Sequence, residues 1–214
     1  MSIARGALFP VIGVALLAAG CGNDRPQWSE QVSLADGRTL VLDRRAERAG
    51  RQLVSGERGA IVSWELCYAP GKIYWKSPKE YRPSAFEMAG DKAFVKVLLH
   101  TCEMCATAGS PPDSAAYFAH RDGRWVRIAA QEYPGKRWKN LMEIGIFDMI
   151  DPKEDVKGAL TLADKWKRDN INEDTREGKF IAAEHPGTCS RCAAAAPSDA
   201  KLEPSATPSD AFCK

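Results

Sequence analysis

Three short turns set the main limits on what this chain can become. In "QVSLADGRTLVLDRR" strand-like residues flank Asp36-Gly37, and in "AAYFAHRDGRWVRIAA" they flank Asp122-Gly123. Asp-Gly between alternating residues is the strongest short-range hairpin signal, because a tight hairpin turn needs positive φ at its centre. "SAFEMAGDKAFVKVLLH" is a third unit of this kind, turning near Gly90-Asp91, and "AIVSWELCYAP" and "KIYWK" are two further strand-like runs separated by Pro70-Gly71. Together they predict an antiparallel meander over about residues 30–130. The hairpins share a design but no fixed period, which argues against a propeller or solenoid.

After Pro134 the character changes. "NLMEIGIFDMI" reads equally as strand or short helix, whereas "DPKEDVKGALTLADKWKRDN" carries helix-start signals: Asp151 as N-cap, Pro152 in the first turn, Glu154 at the capping-box position. Val156, Ala159, Leu160, Ala163 and Trp166 fall on one face at helical spacing, which predicts core contact. From Ala193 onward "AAAAPSDAKLEPSATPSDAFCK" is rich in Ala, Pro and Ser, too poor in large apolar groups to offset the entropy of ordering. The expected fold class is α+β: an antiparallel β-hairpin-rich core followed by an amphipathic helix. One globular domain is expected over residues 29–192, with a disordered tail over 193–214.

The N-terminus reads as an address. Arg5 precedes the apolar run "ALFPVIGVALLAA", which is shorter than the ~20 residues that span a bilayer as a helix. A charged start, an apolar stretch and small residues before a cleavage point describe a secretory signal. Leu17-Ala18-Ala19-Gly20-Cys21 resembles the lipobox of bacterial lipoproteins. The resemblance implies removal of residues 1–20, acylation of Cys21 on its sulfur and new amino group, and a short tether over 21–28. Several acyl chains anchor stably where one binds only marginally. In the Gram-negative members an Asp after the acylated cysteine retains the protein at the inner membrane. Gly22 at that position therefore implies the outer membrane, with the domain facing the periplasm. Lys and Arg total 30 against 28 Asp and Glu, so no basic footprint for nucleic acid is present.

Six cysteines remain beside Cys21: Cys67, Cys102, Cys105, Cys189, Cys192 and Cys213. An even number in an exported chain argues for structural disulfides, with the pairing open. "CEMC" and "CSRC" are both C-x-x-C, but the distance from Cys105 to Cys189 far exceeds compact zinc-binding spacing. Ala106 and Ala193 stand where haem attachment needs histidine. The sharper rival is a redox dithiol at Cys102 and Cys105, since "FVKVLLHTCEMC" superficially resembles the strand-then-motif entry of thioredoxin-like proteins. In those a helix lowers the first thiol's pKa. Here "GSPPD" follows closely and limits any such helix.

"YAPGKIYWK" and "YPGKRWK" share a layout of Tyr, a Pro-Gly turn, Lys, then Trp-Lys, and "SPKEYRP" extends the first. Aromatic faces interleaved with cations suit an anionic partner, which makes Lys72, Tyr74, Trp75, Lys76, Tyr81, Arg82, Lys136 and Trp138 candidate contacts. The competing reading packs each Trp beneath its hairpin and leaves the lysines solvated. No G-x-S-x-G, H-E-x-x-H or phosphate-loop pattern occurs, and no cofactor is implied. The expectation is an envelope lipoprotein held to the membrane through Cys21, acting as a non-catalytic binding or structural module on a protein or anionic envelope partner. Neutralising a toxin is one such role, by analogy with small lipoprotein immunity proteins. The alternative is a periplasmic thiol-disulfide or thiol metal-binding protein using Cys102 and Cys105.

Overall fold

A computed structural model of the chain describes residues 25–49, 60–77, 81–99, 101–109, 111, 113–135, 139–142, 158–169, 203–208 and 211–213. The leader and lipobox, Lys136, Trp138, Asp151, Cys189 and Cys192 lie outside these.

The hairpins form where the turns place them. β1 (Gln27–Ser33) pairs with β2 (Thr39–Arg48) around Asp36-Gly37, with Ser33 opposite Thr39 and Gly37 at φ 87°. β3 (Ile61–Tyr68) and β4 (Ile73–Lys76) continue the same antiparallel sheet. β5 (Arg82–Ala89) turns into β6 (Lys92–Leu98) through Gly90-Asp91. β7 (Ala115–Arg121) turns into β8 (Arg124–Ile128) through Asp122 at φ 51° and Gly123 at φ 73°. Two successive positive φ values define the two-residue turn whose twist matches the strands it joins.

The eight strands do not make one meander. They split into two four-stranded sheets, β1-β2-β3-β4 and β5-β6-β7-β8, each with its strands in chain order. The gain from splitting is a shared interior. Trp28, Leu42, Trp64, Leu66 and Trp75 from the first sheet meet Phe86, Val95, Val97, Phe118 and Trp125 from the second in one apolar cluster. The Trp125 indole crosses between sheets to donate to the Tyr74 carbonyl at 2.8 Å. The second sheet buries its other face too, where Ala85, Phe94, Tyr117 and Ile128 lie under Tyr133. This double burial explains why every residue of β6 after Lys92 is buried, Lys96 included.

The fold is predominantly β, which corrects the expected α+β class. The described helices are short: α1 (Cys102–Thr107) and α2 (Leu162–Asp169). α2 starts well after the expected N-cap at Asp151. Thr161 caps it reciprocally, its Oγ1 accepting from Asp164 N at 3.1 Å while its own N–H donates to Asp164 Oδ2 at 3.0 Å. Leu160 is not on a helix face at all, because its backbone bonds to β1 beside Glu30. Of the expected stripe, Leu160 is buried in the shared core and Ala163 is exposed, with Lys165 buried in its place, while Val156 and the Trp166 side chain lie outside the described ones.

The chain end departs furthest from expectation. Composition places residues 193–214 in a mobile tail, yet Ser205 exchanges backbone hydrogen bonds with Lys76 at 3.0 and 3.1 Å. Cys213 is disulfide-bonded to Cys67 across 146 residues. A covalent closure supplies what the apolar content of this segment lacks.

Candidate functional site

The polar residues that matter most lie inside the sheets. On the inward face of the first sheet, Glu30 alternates with Trp28 and Val32, and Arg44 alternates with Leu42 and Ala46. Glu30 Oε1 accepts from Arg44 Nη1 at 2.5 Å, and Glu30 Oε2 lies 2.7 Å from Lys165 Nζ of α2. All three side chains are fully buried. Backbone groups add to the cluster: Met142 N donates to Glu30 Oε2, Arg44 Nη1 donates to Met142 O, and Lys165 Nζ donates to Gln31 O and Asn140 O. Arg44 Nε and Nη2 are buried without a hydrogen-bond partner among the described residues. The Arg44 guanidinium also sits 4.9 Å from the Trp28 ring and 5.6 Å from that of Trp64. Burial pushes the Glu30 pKa up, but Lys165 and Arg44 together outweigh it and hold the carboxyl below its ordinary value. A fully buried carboxylate held by two cations and a backbone amide is committed to this cluster and closed to substrate. Its work is to fix α2 and residues 139–142 against β1 and β2.

The outward face of the same sheet carries a second ionic cluster. Arg45 pairs with Glu65, Tyr74 Oη donates to Glu65 Oε2 at 2.8 Å, and Lys76 Nζ lies 3.4 Å from Glu65 Oε1. The chain end covers this cluster: the Phe212 ring lies 4.4 Å from the Arg45 guanidinium and meets Tyr74 edge-on at 6.5 Å. The Cys67–Cys213 bond fastens that cover to β3. On the outer face of the second sheet, Tyr117 Oη donates to Asp113 Oδ2 at 2.5 Å. Burial first, and then Asp113, pushes the Tyr117 phenol well above its ordinary pKa.

Several expected contact residues are therefore interior. Trp75 is fully buried because its parity on β4 points it between the sheets beside Leu66. Tyr74 points the other way but lies under Phe212, and Tyr81 is buried in the shared core. These three cannot present aromatic faces to a partner. Lys72 is exposed, in the left-handed region at φ 50°, Arg82 is half-buried, and Lys76 is half-buried and committed to Glu65. The repeated Tyr and Pro-Gly pattern has a packing cause. A Cβ on Gly71 would lie 2.7 Å from the Tyr68 ring, and one on Gly135 would lie 2.5 Å from the Tyr133 ring. In both places glycine lets the turn lie against its own tyrosine.

"CEMC" forms the first turns of α1. Thr101 caps the helix, its Oγ1 accepting from Met104 N at 3.1 Å, and the helix ends at Thr107. Cys105 is fully buried and disulfide-bonded, and its partner lies outside the described side chains. In a redox dithiol of this kind the first cysteine attacks substrate; the buried sulfur is that of the second, Cys105, and the Cys102 side chain lies outside the described ones.

Sequence reasoning missed Glu30, Arg44, Arg45, Glu65 and Lys165. Parity was the available signal for two of them: Glu30 and Arg44 stand at positions that alternation assigns to the apolar face. Lys165 is brought to them only by tertiary packing. The chain matches no family model, no curated protein and no solved structure.

Proposed function

We propose that this chain is an exported lipoprotein of the cell envelope, anchored through Cys21, whose domain acts as a non-catalytic binding or structural module. The observation that carries this reading is the Cys67–Cys213 disulfide, which ties the chain end to β3 of the first sheet. Such a bond persists in an oxidising compartment and not in a reducing cytosol, in keeping with the lipobox resemblance. The largest polar clusters among the described residues support stability rather than turnover, since Glu30 and Glu65 are each held by two cations. A protein or anionic envelope partner is the expected ligand class, with toxin neutralisation as one form of it.

Two measurements test the reading. Labelling cells with an alkyne-tagged fatty acid should mark the protein, and Cys21→Ala should abolish the mark and release the protein from the membrane fraction. Assaying thiol-disulfide exchange on a small disulfide probe should give no turnover above background, both for the native protein and for a Cys102→Ala/Cys105→Ala variant. Turnover lost in that variant would establish the thiol enzyme instead.

A further inference from the structure

Each four-stranded sheet has two edges, and three of the four are covered by later parts of the chain. At β1, Gln31 N donates to Leu160 O at 2.7 Å and Leu160 N donates to Ser29 O at 2.8 Å. At β4, Lys76 and Ser205 exchange hydrogen bonds. At β5, the Asn140 side chain imitates a neighbouring strand: its Oδ1 accepts from Phe86 N at 2.8 Å and its Nδ2 donates to Phe86 O at 2.8 Å. Covering edges in this way removes open templates for strand pairing.

β8 is the exception. Among the described residues, no backbone group beyond β7 pairs with it. The two-residue turn at Asp122-Gly123 makes Arg121 and Arg124 a hydrogen-bonded pair, and the alternation continues through Ala119 with Val126 and Tyr117 with Ile128. The N–H and C=O groups of Trp125 and Arg127 therefore point away from the sheet, along its open edge. Arg124 and Arg127 flank this edge and are both exposed. Arg127 reaches the Ala108 carbonyl at the end of α1, whereas Arg121 is occupied by Glu132 at 2.9 Å. Asp122 is the one carboxylate on the β7–β8 hairpin, and it sits at the tip.

We propose that β8 is the partner-binding edge of this domain, and that its ligand is an extended acidic segment of another protein, added as a fifth antiparallel or parallel strand. This deepens, and rests on, the reading of the domain as a binding module. Backbone hydrogen bonds from Trp125 and Arg127 supply affinity common to any added strand, and the arginines select for carboxylates. A second copy of this chain is the wrong occupant, since pairing β8 with β8 gathers Arg124 and Arg127 of both copies along one seam.

The test titrates the processed, lipidated protein in detergent micelles with two blocked synthetic heptapeptides, one alternating Glu with Val and one alternating Lys with Val. Affinity is read by titration calorimetry, and strand addition by amide hydrogen exchange at Trp125 and Arg127. The glutamate peptide should bind at least tenfold more tightly than the lysine peptide and slow exchange at both amides. Arg124→Glu/Arg127→Glu should invert that preference, with unchanged thermal unfolding showing that the fold is retained. Equal binding of the two peptides, or no slowing at Trp125 and Arg127, would overturn the assignment. Slowing confined to another segment would also overturn it, while leaving the binding-module reading in place. That reading fails separately, on thiol turnover, which these peptides do not probe.

Discussion

Glu30 shows how a single residue can decide the stability of this domain. It neutralises one of two fully buried cations and accepts from a backbone amide as well. Replacing it by glutamine leaves Arg44 and Lys165 facing each other without compensation. Breaking a buried ion pair from one side typically costs about 3–5 kcal/mol, whereas exchanging all members for apolar residues is often neutral. Glu30→Gln should therefore lower the free energy of denaturant unfolding by about 3–5 kcal/mol, and a Glu30→Leu/Arg44→Met/Lys165→Met variant should recover most of the loss. The pH dependence follows the same carboxyl. Its folded pKa lies below its unfolded value, so its contribution is present above ~4.3 and is lost as pH falls through the folded pKa. Acid unfolding should begin below about pH 4, and Glu30→Gln should flatten that part of the stability profile. Tyr117 acts at the other end of the scale. Its pKa is raised, so its contribution is present below the unfolded value of ~10 and is lost as pH rises through the folded one. The ultraviolet phenolate signal of Tyr117 should appear only with alkaline unfolding, whereas Tyr117→Phe should remove one phenol from that late step.

At the level of elements, the hairpins were legible in the sequence because a turn and its flanking alternation are local. Asp122-Gly123 specifies a backbone that few other dipeptides adopt, and the register on both sides follows from it. The division into two sheets was not legible, because nothing local to residues 77–81 records which face of each sheet will be covered. The start of α2 was misplaced for a related reason. Asp151-Pro152 carries the stronger local start signal, yet Leu160 is held as a β-bridge to β1, so the described helix begins only after it, with Thr161 as its cap. The paired Tyr and Pro-Gly segments were visible as a repeat, but their meaning was steric. Gly135 lies so close to Tyr133 and Glu87 that a Cβ would sit 2.5 Å from the ring and 2.7 Å from Glu87 Cγ. Gly135→Ala should thus destabilise the domain by about 1–3 kcal/mol in thermal or denaturant unfolding. Gly37→Ala is strained by its positive φ but meets no neighbouring atom within 4 Å, so it serves as the control for backbone conformation without the clash.

At the scale of the whole molecule, the later part of the chain works as a fastening. Residues 139–142 and Leu160 secure edges of both sheets, α2 inserts Lys165 beneath the first, and the chain end crosses its outer face to reach Cys67. The last of these is not visible in residues 193–214, whose composition reads as a tail, because the information lies in one cysteine, Cys213, and in a partner 146 residues away. Closing a loop of this length removes much of the freedom of the unfolded chain, and losing a native disulfide typically costs about 2–5 kcal/mol. Cys213→Ala should lower stability by that amount, and should speed amide exchange in β4 by freeing Ser205 and uncovering Tyr74. The exported, oxidised character of the protein is the claim on which the functional reading depends. It is tested most directly by alkylating the envelope-derived protein under denaturing, non-reducing conditions and mapping its proteolytic peptides by mass. The account predicts one linked species joining the peptides that contain Cys67 and Cys213, with Cys105 also unalkylated. Recovery of Cys67 and Cys213 as separate alkylated peptides would contradict it.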